Sequence, residues 1–272
     1  MRLKNCAGSL LIVVLLLAIL SCGAGSHNTP VGGALSGNWQ ITLIRHNTTD
    51  QWTLSGFLVQ SGNNITGSFI LNIGCQGVGS VTGTFDGQNL QLTVSSSGQD
   101  FNLSAAAAQG GSSNSLSGQF STLQGGCISF SSSGTWTAIR IPAISGLFHG
   151  TFVENSPQSI TIDVTGALTQ GPNVGASNAT LTGTINATGA TAFCSYLNNA
   201  TVTGLISGTS ASLNFYGPDG TQIGQIPSPG STAPALVAPD GSSVTGSFAF
   251  GAISNTCSGF SGGQPGATLT FP

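Results

Sequence analysis

A triplet of aliphatic residue, Ser or Thr, and Gly recurs through this chain and limits its fold more than any other feature. It stands at Leu35-Ser36-Gly37, Leu54-Ser55-Gly56, Ile65-Thr66-Gly67, Val81-Thr82-Gly83 and Leu116-Ser117-Gly118. It returns at Ile144-Ser145-Gly146, Val164-Thr165-Gly166, Leu181-Thr182-Gly183, Val202-Thr203-Gly204, Ile206-Ser207-Gly208 and Val244-Thr245-Gly246. Many copies sit in strict alternation of apolar and polar residues, as in Asn89-Leu90-Gln91-Leu92-Thr93-Val94-Ser95. Period-two alternation specifies strands with one dry face and one wet face. A glycine on the dry face weakens a flat strand but suits a sharply coiled one, as at a barrel corner. The chain therefore reads as all-β.

The triplets also divide the chain into two similar halves. Leu35-Ser36-Gly37-Asn38-Trp39 matches Ile144-Ser145-Gly146-Leu147-Phe148 as an opening strand. Cys75 precedes Val81-Thr82-Gly83 as Cys194 precedes Val202-Thr203-Gly204, and Leu116-Ser117-Gly118 precedes Cys127 as Val244-Thr245-Gly246 precedes Cys257. The repeat implies one disulfide per half, Cys75 with Cys127 and Cys194 with Cys257. The expected domains are 35–140 and 144–272, joined near Arg140-Ile141-Pro142-Ala143. In the first, alternation predicts eight strands near 37–45, 52–60, 64–73, 79–85, 88–95, 99–106, 114–121 and 133–140. Turn signals at Asp86-Gly87 and in the Gly-rich stretch 110–113 suit an antiparallel meander. Such a meander can close into a barrel, though two packed sheets would alternate in the same way.

The N-terminus sets the compartment. Met1-Arg2-Leu3-Lys4 is a positive start, and the apolar run Leu10–Leu20 is eleven residues long. A helix needs about 20 to cross a hydrocarbon core, so this is an export signal and not a span. The sequence Ile19-Leu20-Ser21-Cys22-Gly23 resembles the bacterial lipobox. The resemblance implies cleavage after Ser21 (signal peptide 1–21), lipid on Cys22, and a flexible tether over 22–34. With Gly23 after the cysteine, it points to the outer membrane.

Exported residues keep two arginines, Arg45 and Arg140, against seven carboxylates, a formal charge of −5. Only 4% of the chain is charged, against about 25% in an ordinary domain. Nucleic acid is excluded as a partner, because phosphate recognition needs clustered Lys and Arg. The outer surface must be built from Ser, Thr, Asn, Gln and Gly. An even set of four cysteines in an exported chain fits structural bridges.

The opening Gly37-Asn38-Trp39 resembles the Gly-x-Trp start of lipocalins, and the Ile-Thr-Gly and Val-Thr-Gly strands closing on Gly134-Thr135-Trp136 are similar to the avidin-like meander. That resemblance covers roughly residues 35–140. It implies a barrel that carries a small apolar ligand, with Trp39, Trp52, Phe69 and Phe85 as candidate ligand-lining residues. The whole chain resembles Gly/Ser/Thr-rich tandem β-domain lipoproteins of environmental bacteria, a resemblance that brings no activity with it.

Little in the sequence points to catalysis. His149 and Glu154 are five apart on one expected strand and so point to opposite faces. Asp86, Asp219 and Asp240 each precede a glycine, which is turn chemistry. Gly259-Phe260-Ser261-Gly262-Gly263 fits a nucleophile elbow, but no acid or histidine follows Ser261 to complete a triad. No metal-ligand spacing is present, and no cofactor is expected. The expectation is a membrane-anchored, non-catalytic binding or structural module whose partner is a small apolar ligand, a glycan or a protein, with a hydrolase as the alternative. The Pro-rich segment 226–240, without a counterpart in the first half, is a second candidate binding element.

Overall fold

A computed structural model describes residues 34–73, 76–106, 114–126, 128, 131–154, 160–173, 177–188, 197–250 and 266–272. The first half is a closed antiparallel barrel in which each strand pairs with its neighbour in sequence and the last returns to the first. Its staves are β1 (Gly37–Arg45), β2 (Gln51–Ser61), β3 (Asn64–Asn72), β4 (Gln76–Phe85), β5 (Asn89–Ser96), β6 (Gln99–Ala106), β7 (Ser115–Thr122) and β8 (Ser132–Ile141). Closure leaves no unpaired edge.

The second half repeats this plan with two broken staves. Its strands are β9 (Ser145–Glu154), β10 (Ile160–Asn173), β11 (Ala179–Thr188), β12 (Ala200–Ser207), β13 (Ser210–Tyr216), β14 (Gln222–Ile226), β15 (Ala235–Val237), β16 (Ser243–Ser247), β17 (Ala249–Phe250) and β18 (Gly266–Thr270). β14 pairs with Leu213–Tyr216 and β15 with Ser210 and Ala211, on the same edge of β13. Together they form the sixth stave, interrupted by residues 227–234. β16 and β17 likewise share the seventh, pairing with β15 and β14 in turn. β18 returns to β9, and β12–β13 completes the ring. The barrel alternative is therefore the right one for both halves, and 226–240 is no simple surface loop. It contributes staves at both ends of a Pro-rich excursion.

Eight staves enclose a space that side chains alone can fill. In the first barrel Trp39, Ile41, Leu43, Leu54, Phe69, Phe101 and Trp136 do so, all fully buried. In the second, Phe152 stacks on Phe248 at 4.9 Å and meets Phe215 and Phe250 at 5.6 Å. The recurrent glycine makes room for these rings. Gly56 pairs with Trp39 on one side and Phe69 on the other. A Cβ on it would lie 2.6 Å from Phe69 Cδ1 and 2.1 Å from the Ser68 carbonyl oxygen. The triplet is thus a packing device, with the glycine giving its share of the interior to an aromatic neighbour.

Outward positions form ranks of neutral hydrogen-bonding groups. One rank runs Asn64, Thr84, Gln91, Ser104, Gln119, Thr135 across β3 to β8. The second barrel carries Ser145, Thr169, Thr182, Thr203, Asn214, Gln225 across β9 to β14. The three Asp-Gly turns behave as their sequences require. Asp86 accepts from the Gln88 and Asn89 backbone N–H groups, Asp219 from Thr221 and Asp240 from Ser242. Those of Asn89, above all its backbone N–H, together with the Gln88 N–H hold the Asp86 carboxyl down at about 2.

Topology puts the connections after β3 and β7 at the same end of the first barrel, and those are the connections that contain Cys75 and Cys127. Cys194 and Cys257 occupy the corresponding connections of the second. All four cysteines, like Cys22, His27 and Ser261, lie outside the described residues.

Candidate functional site

The halves open in the same way, and the repeat extends to hydrogen bonds. Leu35 N donates to Gln60 Oε1 and Gln60 N to Ser36 Oγ. Ile144 N donates to Gln170 Oε1 and Gln170 N to Ser145 Oγ. In each barrel a glutamine on the second stave thus ties down the residues that lead into the first. Trp39 Nε1 donates to the Leu35 carbonyl, 2.9 Å, which folds the entry over one rim of the first barrel.

Beside that rim the barrels meet. Asn38 points outward from β1 yet is only 2% exposed, because the β12–β13 turn covers it. Its Nδ2 donates to Gly208 O at 2.9 Å, and Gly208 N donates to its Oδ1 at 2.6 Å. Gln40 Oε1 accepts from Thr209 N, Thr209 Oγ1 and Ser55 Oγ. Gly208 has φ +56°, and a Cβ on it would sit 2.3 Å from Gln40 Oε1. Phe57, the next outward residue along the wall, packs with Ile141, Ile144 and the second barrel's core.

Next to this seam is a cleft of about 320 Å³, lined by Gly37, Asn38, Phe57, Asn114, Arg140, Ile141, Pro142, Ala143 and Gln170. Arg140 stands opposite Trp39 in the β1–β8 ladder. Its guanidinium lies against Gly37, where a Cβ would be 2.8 Å from Nε. Gly37 has φ +143°, a conformation that favours glycine. None of the lining residues is acidic. The other described arginine, Arg45, stands at the opposite rim and is fully engaged. It lies over the Trp52 ring at 5.3 Å, donates to Ser132 Oγ, and pairs with Asp50 at 2.9 Å. Among the described residues, Arg140 is the arginine with no side-chain hydrogen bond or ion pair.

The candidate ligand-lining residues are spread along one packed interior, from rim to rim of the first barrel. Trp39 and Phe69 sit side by side over Gly56, within the packed core. Trp52 lies at the Arg45 rim, against Phe101 and Phe120 at 6.2 Å each. Phe85 closes β4 at the other end. His149 is exposed on β9, between Thr165 and Thr270. A second opening, about 260 Å³, lies at the Arg45 end beside Gln99, Asp100, Leu123 and Gln124. Gln99 donates from Nε2 to Leu123 O and Thr122 Oγ1, while its buried Oε1 has no partner.

Sequence reading took Arg140 only as part of the joint and did not single out Asn38, Gly208 or the Gln60/Gln170 pair. One signal for Arg140 was available: residues 23–272 hold two basic side chains, which invites the question of what each one balances.

No protein-family model matches the chain, and no curated protein or solved structure shows significant similarity to it.

Proposed function

We propose that this chain is a lipid-anchored, exported, non-catalytic binding module whose ligand site is the cleft between its barrels. The carrying observation is where the available polar chemistry lies. The interiors are packed with aromatic and aliphatic side chains, the walls carry ranks of Thr, Ser, Asn and Gln, and Arg140 stands in the cleft without a counter-charge. Polar groups outward and apolar groups inward is the reverse of a bilayer-spanning barrel. The barrels therefore belong in water, and membrane attachment falls to lipid on Cys22. Two or three acyl chains, at about 0.8 kcal/mol per buried methylene, anchor far better than one.

The bridges Cys75–Cys127 and Cys194–Cys257 belong to the same reading. Residues flanking the first pair converge on the β5–β6 turn. Ser96 Oγ donates to Val78 O at 3.2 Å, and a Cβ on Gly126 would lie 2.6 Å from Ser97 O. A bridge closing a loop of this size contributes about 3–4 kcal/mol through the unfolded chain. Non-reducing peptide mapping of membrane-extracted protein is expected to return a lipid-modified Cys22 and these two bridges. An unmodified Cys22 overturns the anchor, and a Cys75–Cys194 link overturns the pairing.

The binding site is tested by amide chemical shifts of oxidised residues 23–272, titrated with neutral sugars, carboxylates and amines. Saturable shifts are expected at Gly37, Asn114 and Ala143. Shifts confined to other surfaces, or turnover of any solute, overturn the reading.

A further inference from the structure

The geometry points to a specific ligand chemistry for the cleft: we infer that Arg140 receives the carboxylate of a small monoanionic solute. The inference rests on the cleft being the binding site and adds the chemical class of the ligand. A guanidinium offers five N–H donors in a planar fork that matches a carboxylate with two parallel hydrogen bonds. In a half-buried position with no acid among its neighbours, all of that capacity is unspent. Further donors stand nearby. Gln170 uses Oε1 for Ile144 N, which leaves its Nε2 for the cleft, and Asn114 presents an exposed side-chain amide. Asn38 is not among them, since it is only 2% exposed and gives its Oδ1 and one Nδ2 hydrogen to Gly208.

Charge and size narrow the class. One cation in the cleft, within residues 23–272 that carry two arginines against seven carboxylates, suits a single negative charge and repels a dianion such as phosphate. A volume of about 320 Å³ is at the small end of ligand pockets. The exposed Pro142 and Ala143 offer carbon surface to the uncharged part of the solute, backed by the buried Phe57 and Ile141.

The test uses a property of the sequence. Residues 23–272 contain two arginines, so a nitrogen–proton spectrum shows two guanidinium Nε signals, which Arg140→Gln assigns. The probes are sodium benzoate against benzamide, sodium glucuronate against glucose, inorganic phosphate, and sodium chloride at matched ionic strength. A saturable shift of the Arg140 signal by benzoate or glucuronate is expected, with the Arg45 signal unmoved. Affinity should fall at least 10-fold for the neutral partner of each pair and severalfold in Arg140→Lys, which keeps the charge but loses the fork. If glucose and benzamide move the cleft amides as well as the acids do, the site stands and the carboxylate inference falls. A response to phosphate alone, or equal movement of both arginines with chloride, also overturns the inference. Silence from every probe at every cleft residue overturns the inference and the site together.

Discussion

Replacing Gly118 by alanine is expected to destabilise the first barrel as much as truncating one of its large core side chains. Gly118 lies opposite Trp136 in the β7–β8 ladder. The Trp136 indole crosses the space where a side chain would stand and donates from Nε1 to Ser104 O at 3.1 Å and Gln119 O at 3.0 Å. Those carbonyls belong to the last pair of the β6–β7 ladder, so the indole N–H finishes what the backbone leaves open. A Cβ on Gly118 would stand 1.9 Å from Ser104 O and 2.9 Å from Trp136 Nε1. One of these neighbours is backbone and the other a fully buried ring, so neither can yield cheaply. Overpacking of this kind costs about 1–3 kcal/mol where a core can adjust, and more where it cannot. The substitution also breaks a hydrogen bond that leaves a buried carbonyl unmet, worth about 1–3 kcal/mol. Denaturant unfolding of oxidised residues 23–272 should show Gly118→Ala losing about 4 kcal/mol or more. Trp136→Phe, which keeps most of the volume but not the N–H, should lose about half of that. Equal, small losses for both would mean that the glycine is incidental and the triplet is no packing device.

The strands of the first barrel were legible because alternation reports local geometry. The expected 37–45, 64–73 and 99–106 differ from β1, β3 and β6 by at most one residue at an end. The closed ring follows from eight such strands in order, and the repeat carried the reading into the second half. Reading failed where local pattern and tertiary need diverge. The sixth stave of the second barrel is broken by 227–234, so its two pieces, five and three residues long, are too short to alternate visibly. Asn38 follows a glycine and precedes a tryptophan, like any residue entering a strand. Nothing local shows that it faces a turn 170 positions away. Arg140 is illegible for the same reason, because what distinguishes it is the absence of a carboxylate nearby in space. Trp39, a candidate ligand-lining residue, lies in the packed core. Gly56 explains how it fits beside Phe69.

The seam between the barrels should behave as one cooperative element that Asn38 controls. Its side-chain amide does what a strand backbone does, giving one donor and one acceptor to the same residue of its partner. Asn38→Leu is close in size but would bury Gly208 N–H and C=O with nothing to meet them. At about 1–3 kcal/mol for each stranded group, the loss is about 2–6 kcal/mol, charged entirely to the junction. Neither interior would be altered, since Asn38 points away from its own barrel. The expected signature is therefore a change in the shape of unfolding: calorimetry of the wild type gives one transition, and Asn38→Leu gives two. Phe57→Ala should act in the same direction, because that ring is clustered with the second barrel's core and not its own. Asn38→Asp separates hydrogen bonding from size, since it keeps the acceptor for Gly208 N–H but sets a carboxylate oxygen against Gly208 O. It should fall between wild type and leucine at low pH, where a protonated carboxyl can donate, and match leucine above its own titration. If Asn38→Leu leaves a single transition at an unchanged temperature, the barrels are only strung together, and a cleft between them cannot hold the fixed geometry that Arg140 needs.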